Sequence, residues 1–292
     1  MPIPTKRLGT GFELPVYGLG TWQMGGRFQR DAENDDARDV RAIEAAIEAG
    51  VTHIDTAEAY AAGHTEKLVG RAIRRHDRER LFLASKVGLS QPPRDKKVIE
   101  TAEQSLRRLG TDYLDLYLLH RFNSQVPLGE TMAALDSLVE RGLVRHLGVS
   151  NFSEERFQAA QRHTAHKLVT NQVHYNLEIR EMETAGVLDF CQRSDVMLVA
   201  WRPLQKGMLL RNDTPIVSEL AAKYEKSPAQ IAINWLTSQD NVVTLAKTST
   251  SEHLWENLGA LGWRLDPDDI ERLRREFPDQ QHVSDAVPLD HG

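Results

Sequence analysis

The feature that most constrains this chain is a regular alternation of short apolar segments with longer amphipathic ones. Segments that alternate in this way form parallel sheets covered by helices. Eight such units fit in 292 residues, and a closed barrel of eight units needs about 250 residues. We therefore predict an α/β fold, the (β/α)8 or TIM barrel. The predicted strands are 16–19, 51–54, 81–85, 113–119, a short strand within 146–152, 168–173, 196–201 and 241–245.

Segments at the two ends of the chain fall outside the eightfold pattern. Residues 1–15 hold two glycines, Gly9 and Gly11, between short strand-like stretches, which predicts a β-hairpin that caps one end of the barrel. Asp266-Pro267 begins an extra helix after the last barrel helix. The polar residues 278–292 are predicted to form a loose tail. No shift in composition marks a linker, so we predict one domain over 1–292.

Composition argues against several classes of protein. The 42 acidic and 36 basic residues are interspersed and leave a net charge of -6. This predicts no nucleic-acid or membrane partner, because no basic stripe or basic amphipathic helix is seen. Cys191 is the only cysteine, which excludes an intrachain disulfide and predicts a cytoplasmic protein. We expect a monomer or a weak homo-oligomer, and we assign no metal ligands.

Four side chains that can move or hold a proton lie at the ends of three successive predicted strands. Asp55 ends one strand and Tyr60 follows in its loop, Lys86 comes directly after the next strand, and His120 after the third. The carboxyl ends of barrel strands share one rim, where barrel enzymes place their active sites. Taken singly, Asp55 is more often a turn carboxylate and Tyr60 a packed loop aromatic. Their occurrence together predicts a catalytic group.

The chemistry of these groups suggests a role for each. A free tyrosine titrates near pH ~10, and a neighbouring ammonium favours the phenolate. We therefore predict that Lys86 makes Tyr60 a stronger general acid, that Asp55 holds Lys86, and that His120 orients the substrate. Such a group can protonate a carbonyl oxygen, but it supplies no electrons. A reduction would need a cofactor.

A cofactor site is predicted without a Rossmann fingerprint, since the expected third glycine is missing after Gly18-Leu19-Gly20. The loops at the strand exits offer other groups. Ser150, Asn151 and Gln172 could bind a carboxamide, and Trp201 could stack on a flat ring. Lys247, Thr248 and Ser249 follow the last strand, where barrels commonly bind phosphate.

Several stretches resemble those of the aldo-keto reductase family over nearly the whole chain. They are 50–60 with Glu66, 106–120, 148–152, 171–173 and Glu256-Asn257. The resemblance implies a (β/α)8 barrel that binds NADPH in extended form and reversibly reduces aldehydes or ketones to alcohols. It also implies that Tyr60 donates the proton, that Lys86 and Asp55 tune it, and that His120 orients the carbonyl.

The same resemblance implies the residues that bind cofactor and substrate. Ser150, Asn151 and Gln172 would hold the carboxamide, Trp201 would stack on the nicotinamide ring, Lys247 and Thr248 would meet the 2′-phosphate, and Glu256 and Asn257 the adenine. The other residues that would contact the cofactor are Gly20, Thr21, Trp22, Asp55, Arg202, Pro203, Leu204, Lys206, Ala246, Ser249 and His253. The small-molecule carbonyl substrate would contact Trp22, Tyr60, His120 and Phe122, whose rings favour an apolar or aromatic substrate.

Departures from the family pattern bear on specificity. Arg121 stands where tryptophan is common, and Arg202 where serine is usual. Ala246 replaces a common proline, and His253 replaces an arginine that often supports the 2′-phosphate. A neutral imidazole attracts a phosphate dianion less strongly, so NADH remains an alternative cofactor, although Lys247 favours NADPH.

Two other functions remain open from the sequence. Lys86 could form a Schiff base in an aldolase-type barrel, because a lysine at a strand exit suits that chemistry. The barrel could also serve as a non-catalytic, cofactor-sensing partner subunit of another protein.

Overall fold

The computed structural model describes residues 2–88, 95–205, 207 and 214–290. Two antiparallel strands precede eight parallel strands that close into a barrel, and the last barrel strand pairs with the first. The predicted barrel is confirmed. The strands are β1 (Thr5–Arg7), β2 (Glu13–Pro15), β3 (Tyr17–Gly20), β4 (His53–Asp55), β5 (Phe82–Val87), β6 (Leu114–Leu119), β7 (Val144–Ser150), β8 (Leu168–His174), β9 (Met197–Trp201) and β10 (Val242–Ala246).

Helices surround the barrel and cover its outer face. The outer core lies between their apolar sides and the strands, which explains why β6 and β8 are buried along their whole length. The helices of the described residues are α1 (Asp36–Glu48), α2 (His64–Ile73), α3 (Asp95–Leu109), α4 (Leu128–Glu140), α5 (Glu154–Gln161), α6 (Glu181–Thr184), α7 (Val187–Arg193), α8 (Pro215–Tyr224), α9 (Pro228–Thr237), α10 (Ser251–Leu258) and α11 (Pro267–Glu276).

Helix ends follow the signals in the sequence. Ser227 and Gln230 form the predicted capping box of α9, in which the side chain of each accepts a hydrogen bond from the backbone of the other. Gly110 and Gly142 follow the ends of α3 and α4 with φ of 68° and 71°. These are left-handed conformations that glycine adopts without steric cost.

The N-terminal hairpin closes the end of the barrel where the strands begin. Leu8, Phe12 and Leu14 are buried and join the inward-facing side chains of the barrel in one apolar cluster. The ring of Phe12 contacts that of Phe82, the first residue of β5, with centroids 6.0 Å apart. The hairpin thus leaves the opposite end of the barrel, where the strands exit, for a functional site.

The polar tail after Pro278 differs from the loose segment that we expected. Over the described part, 278–290, it is bonded to the barrel. The carboxylate of Glu181 accepts hydrogen bonds from the backbone N–H groups of Ser284 and Leu289, at 2.9 and 3.1 Å. Isolated β-bridges add further backbone pairing. Composition did not reveal these contacts because the tail makes them largely through its backbone.

Leu14→Ala tests the capping role of the hairpin. Leu14 is fully buried, so the substitution should leave a cavity and lower the free energy of unfolding by about 2–5 kcal/mol. Urea unfolding followed by circular dichroism measures the loss. Glu13→Ala is the control, because Glu13 is exposed and its ion pair with Arg7 lies at the surface; its effect should stay below about 0.5 kcal/mol. Equal free energies of unfolding for Leu14→Ala and wild type would show that the hairpin does not stabilise the barrel.

Candidate active site

The four predicted proton-transfer residues lie at the same rim of the barrel. Asp55 is the last residue of β4, and Tyr60 lies in the loop that follows. Lys86 lies near the end of β5, and His120 directly follows β6. Neighbouring strands bring these positions together because β4 pairs with β5 and β5 with β6 in parallel register.

The Lys86 ammonium is the centre of this group. Its side chain is fully buried, and Nζ lies 2.5 Å from Oδ1 of Asp55, 2.8 Å from the carbonyl oxygen of Thr56 and 3.3 Å from the hydroxyl oxygen of Tyr60. An ammonium has three N–H donors, and each of these contacts takes one. The other carboxylate oxygen of Asp55 accepts a hydrogen bond from Nε2 of Gln172 at 2.9 Å. Carboxylate, ammonium and phenol therefore form one connected network.

The charge states of Lys86 and Tyr60 follow from burial and from their mutual contacts. Burial acts to lower the pKa of Lys86, but the Asp55 carboxylate and the Tyr60 oxygen outweigh it and raise that pKa. Burial raises the pKa of Tyr60, the Lys86 ammonium opposes this effect, and Asp55 adds to it. At neutral pH, Lys86 is charged and Tyr60 is protonated.

This result corrects one part of the sequence prediction. Lys86 does favour the ionised form of Tyr60, as expected, but in this structure the net pKa of Tyr60 is raised rather than lowered. Loss of water around the phenol outweighs the nearby cation. Tyr60 is therefore a proton donor whose ionised form Lys86 can stabilise, and not a phenol that is partly ionised at rest.

Three aromatic side chains line one wall beside this network. The ring of Tyr60 lies between those of Trp22 and His120, with centroid distances of 4.9 and 5.8 Å. Burial lowers the pKa of His120 well below its usual value, and the charges of Lys86 and Arg121 lower it further, so the imidazole is neutral. Of the four predicted substrate residues, these three come together.

The fourth predicted substrate residue, Phe122, has different neighbours. Its ring packs edge-on against Phe152 at 6.4 Å, and the guanidinium carbon of Arg156 lies 3.8 Å from the ring centroid. None of the described ring contacts joins Phe122 to the wall formed by Trp22, Tyr60 and His120. Its assignment to the substrate site stays a prediction.

A second polar group stands at the ends of β7 and β8. Ser150 donates a hydrogen bond to the Gln172 carbonyl oxygen at 2.8 Å, and the side-chain amide of Asn151 donates one to Ser150 at 2.9 Å. Oδ1 of Asn151 is buried and has no hydrogen-bond partner among the described residues. A buried acceptor without a partner is costly unless a ligand satisfies it.

The predicted stacking residue Trp201 already has one aromatic neighbour. Its ring lies parallel to that of His174, 4.1 Å between centroids and 11° between planes. His174 is buried, and its ring nitrogens contact Ser284 and Gln205 at 2.8 and 3.0 Å. Sequence analysis missed His174, although its position two residues after Gln172 on β8 places both side chains on the same face of the strand.

Arg202 links this stack to the C-terminal tail. Its guanidinium carbon lies 5.1 Å from the Trp201 ring centroid, and Nη1 lies 3.8 Å from Oδ1 of Asp285. The backbone of Arg202 has a φ of 58°, a conformation that residues other than glycine rarely adopt. Pro203 and Leu204 follow in a turn. Lys206 lies outside the described residues.

The remaining predicted cofactor residues lie at the end of β3, at the end of β10 and on α10. Gly20 pairs with Asp55 in the barrel, and Thr21 bonds the carbonyl oxygen of Asp55 through both its N–H and its hydroxyl. Ala246 ends β10 and is followed by Lys247, Thr248 and Ser249 at the amino end of α10. His253, Glu256 and Asn257 lie on α10 itself. Nδ2 of Asn257 is bonded to the Tyr17 hydroxyl at 3.2 Å.

No group of three His, Cys, Asp or Glu side chains among the described residues is arranged to hold a metal ion. No helix in the described part of the chain has both the length and the apolar character needed to cross a membrane.

Comparison with known sequences gives consistent matches. A sequence profile of the Aldo/keto reductase family matches residues 17–275. The methylglyoxal reductase YeaE of Escherichia coli (strain K12) is 38% identical over 269 residues, which cover 91% of this chain and 92% of that protein. The glyoxal reductase of Bacillus subtilis (strain 168) is 32% identical and covers 92% of this chain and 91% of its own length.

Solved structures agree with the sequence matches. The thermostable aldo-keto reductase Tm1743, in complex with the inhibitor epalrestat, superimposes with a TM-score of 0.88 at 41% identity, over 93% of this chain and 98% of that one. An aldo-keto reductase from Klebsiella pneumoniae in complex with NADPH gives a TM-score of 0.83 at 35% identity, over 99% of both chains. The barrel, the strand-exit motifs and these matches together establish that the chain belongs to the aldo/keto reductase family.

Proposed function

We propose that this protein catalyses the reversible, NADPH-dependent reduction of aldehydes and ketones to alcohols. The observation that carries the proposal is the buried Lys86 ammonium, which contacts the Asp55 carboxylate on one side and the Tyr60 hydroxyl on the other. Such a network supplies a proton and stabilises the phenolate that is left. A carbonyl reduction needs both.

The residues at the strand exits fit a nicotinamide cofactor. The unpartnered Oδ1 of Asn151 can accept a hydrogen bond from a carboxamide N–H group, and it stands near the hydroxyl of Ser150. The phosphate end of the cofactor would be held by Lys247 and Thr248. NADPH, when bound, supplies the hydride. The structure of the Klebsiella pneumoniae relative in complex with NADPH supports this choice.

Tyr60 is the general acid in this proposal. Its hydroxyl is protonated at neutral pH, so it can donate to the carbonyl oxygen as negative charge develops there. The proton leaves a phenolate beside the Lys86 ammonium, and a fixed charge in a buried site stabilises such an anion more than water-exposed groups would. Asp55 keeps Lys86 charged and in place, and Gln172 holds Asp55 from the far side.

His120 orients the carbonyl group. A neutral imidazole carries one N–H donor, and the low pKa of His120 keeps it in that form. It can therefore donate a hydrogen bond to the carbonyl oxygen without competing with Tyr60 for the role of acid. The adjacent ring of Trp22 forms an apolar boundary for the substrate.

Small 2-oxoaldehydes are the substrates that we propose first. Relatives named methylglyoxal reductase and glyoxal reductase cover more than nine-tenths of this chain. In this chain the rings of Trp22 and Tyr60 form an apolar wall beside the proposed site. This wall favours an aldehyde with an apolar or aromatic flank. We expect broad specificity within that class.

The geometry argues against the Schiff-base alternative. An attacking lysine must be neutral and free to reach a carbonyl carbon. Lys86 has a raised pKa and all three of its N–H donors engaged with Asp55, Thr56 and Tyr60. A cytoplasmic location remains a prediction from the single cysteine, and a monomeric or weakly oligomeric state also remains a prediction.

Tyr60→Phe tests the proposed acid. Methylglyoxal and a panel of aldehydes and ketones are supplied with NADPH, and loss of the nicotinamide absorbance is followed. Removing the hydroxyl should lower kcat by about 10²–10⁴-fold and leave the affinity for NADPH within about twofold, because the ring remains. Tyr113→Phe is the control. Tyr113 directly precedes β6, at the end of that strand opposite His120, and its buried hydroxyl lacks a partner among the described residues. Unchanged turnover in Tyr60→Phe would contradict the proposal.

The pH profile of reduction tests the charge states. Reduction needs protonated Tyr60, so kcat/KM should stay flat through neutral pH and fall as pH rises through the raised pKa of Tyr60. Oxidation of the alcohol should rise over the same range. Lys86→Met removes the cation that opposes the raised pKa, so the basic limb should move to higher pH while the rate drops. A basic limb that moves to lower pH in Lys86→Met would contradict the assigned charges. Binding of NADPH to the variant confirms that it is folded.

A further inference from the structure

A cavity of about 300 Å³ lies between α1 and the loop that leads from β10 into α10. One wall is a single face of α1, with Arg38, Arg41, Ala42 and Ala45 at helical spacing. The other wall is the segment 248–251 together with Leu254. The small alanine side chains leave the space open between the two arginines and the hydroxyl-bearing loop.

The positive charge of this cavity is not neutralised by the protein. Arg38 and Arg41 are exposed, and within the described parts of the chain neither side chain forms an ion pair or a hydrogen bond. Arg38 also acts on the adjacent lysine: partial burial lowers the pKa of Lys247, Asp39 opposes this, and the Arg38 charge lowers it further. Arg38 and Arg41 line the cavity together, and an anion that enters it relieves the repulsion between their like charges.

A buried hydroxyl group faces the same space. Thr248 is only 3% exposed and lines the cavity. Its hydroxyl has no hydrogen-bond partner among residues 2–88, 95–205, 207 and 214–290. A hydroxyl group in this position can donate to an oxyanion.

The amino terminus of α10 does not add net positive charge to this cavity. Its first turn already holds the carboxylate of Glu252, which accepts hydrogen bonds from its own backbone N–H and from Thr250. Thr250 is further engaged as the N-cap, with its hydroxyl accepting from the N–H of His253. The arginines of α1 are therefore the charges available to an anion in this cavity.

We propose that Arg38 and Arg41 of α1, with Thr248, form the binding site for the 2′-phosphate of NADPH. This rests on the proposed function, since it assigns one group of that cofactor. The two arginines supply positive charge beside the amino end of α10, where this chain has His253 and the family pattern often has an arginine. Guanidinium groups suit this role because they bind phosphate oxygens in a fixed, forked geometry.

The experiment measures equilibrium binding rather than turnover. Dissociation constants of NADPH and NADH are determined by isothermal titration calorimetry for the wild type, Arg38→Ala, Arg41→Ala and the double variant. The double variant should bind NADPH at least tenfold more weakly, or about 1.4 kcal/mol, while NADH affinity changes less than twofold. The wild-type preference for NADPH should also weaken as salt rises, because exposed charges are screened.

Arg71→Ala is the matched control. Arg71 is exposed in the last turn of α2, at the end of the barrel away from the strand exits. Its replacement by alanine removes one positive charge, as each single arginine variant does. It should leave both dissociation constants unchanged. A loss of NADPH affinity in Arg71→Ala equal to that in the double variant would overturn the assignment, because net charge alone would then explain the effect.

Two further outcomes would overturn the proposal. If the double variant keeps its NADPH affinity but loses binding of inorganic phosphate, the cavity takes a free anion and not the cofactor. If NADPH and NADH affinities fall equally, the arginines support the cofactor elsewhere. Neither result depends on the chemistry at Tyr60, whose failure would appear as unchanged turnover in Tyr60→Phe.

Discussion

The structure of this site depends on one buried ion pair. Moving an ammonium and a carboxylate out of water costs several kcal/mol for each ion. Lys86 offsets this cost by using all three donors, and Asp55 offsets it by accepting from both Lys86 and Gln172. The satisfied pair fixes a positive charge beside the hydroxyl of Tyr60. Without Asp55, burial would favour neutral Lys86, and the phenol would lose its electrostatic partner.

The barrel explains how groups far apart in sequence reach this arrangement. Asp55 and Gln172 are 117 residues apart, yet they share a hydrogen bond across the barrel mouth. Parallel strands in one closed sheet place all their carboxyl ends at one rim. The hairpin fills the opposite end with Leu8, Phe12 and Leu14. At the rim, polar atoms such as the buried Oδ1 of Asn151 then lack a hydrogen-bond partner among the described residues and can bind a ligand.

Much of this was predictable because strand exits are visible in the sequence. An apolar run followed directly by Asp55, Lys86 or His120 places each side chain at the rim once the strands are known to be parallel. The net pKa of Tyr60 was not predictable, since it depends on how much water the fold removes. The stacking of His174 on Trp201 joins two strands, and the bonded tail joins backbone groups to Glu181. No local pattern reports either contact.

The cavity between α1 and α10 shows the same limit. The substitution of His253 for arginine was evident, and it weakened the prediction of NADPH. In the site that we propose, the compensating charge comes from Arg38 and Arg41, more than 200 residues earlier, on a helix that meets α10 only in the folded barrel. Charged residues on an exposed helix face are ordinary in a sequence. Their meaning here depends on the hydroxyl-bearing loop opposite.

The most direct test of the central claim is a double-mutant cycle in kcat between Tyr60 and Lys86. If Lys86 acts through the phenol, Lys86→Met should lower kcat strongly in the wild-type background. In the Tyr60→Phe background the same substitution should lower kcat little or not at all, so the two effects are far from additive. Fully additive losses in the Tyr60→Phe/Lys86→Met double variant would show that the ammonium acts independently of Tyr60, and that the shared network is not the source of catalysis.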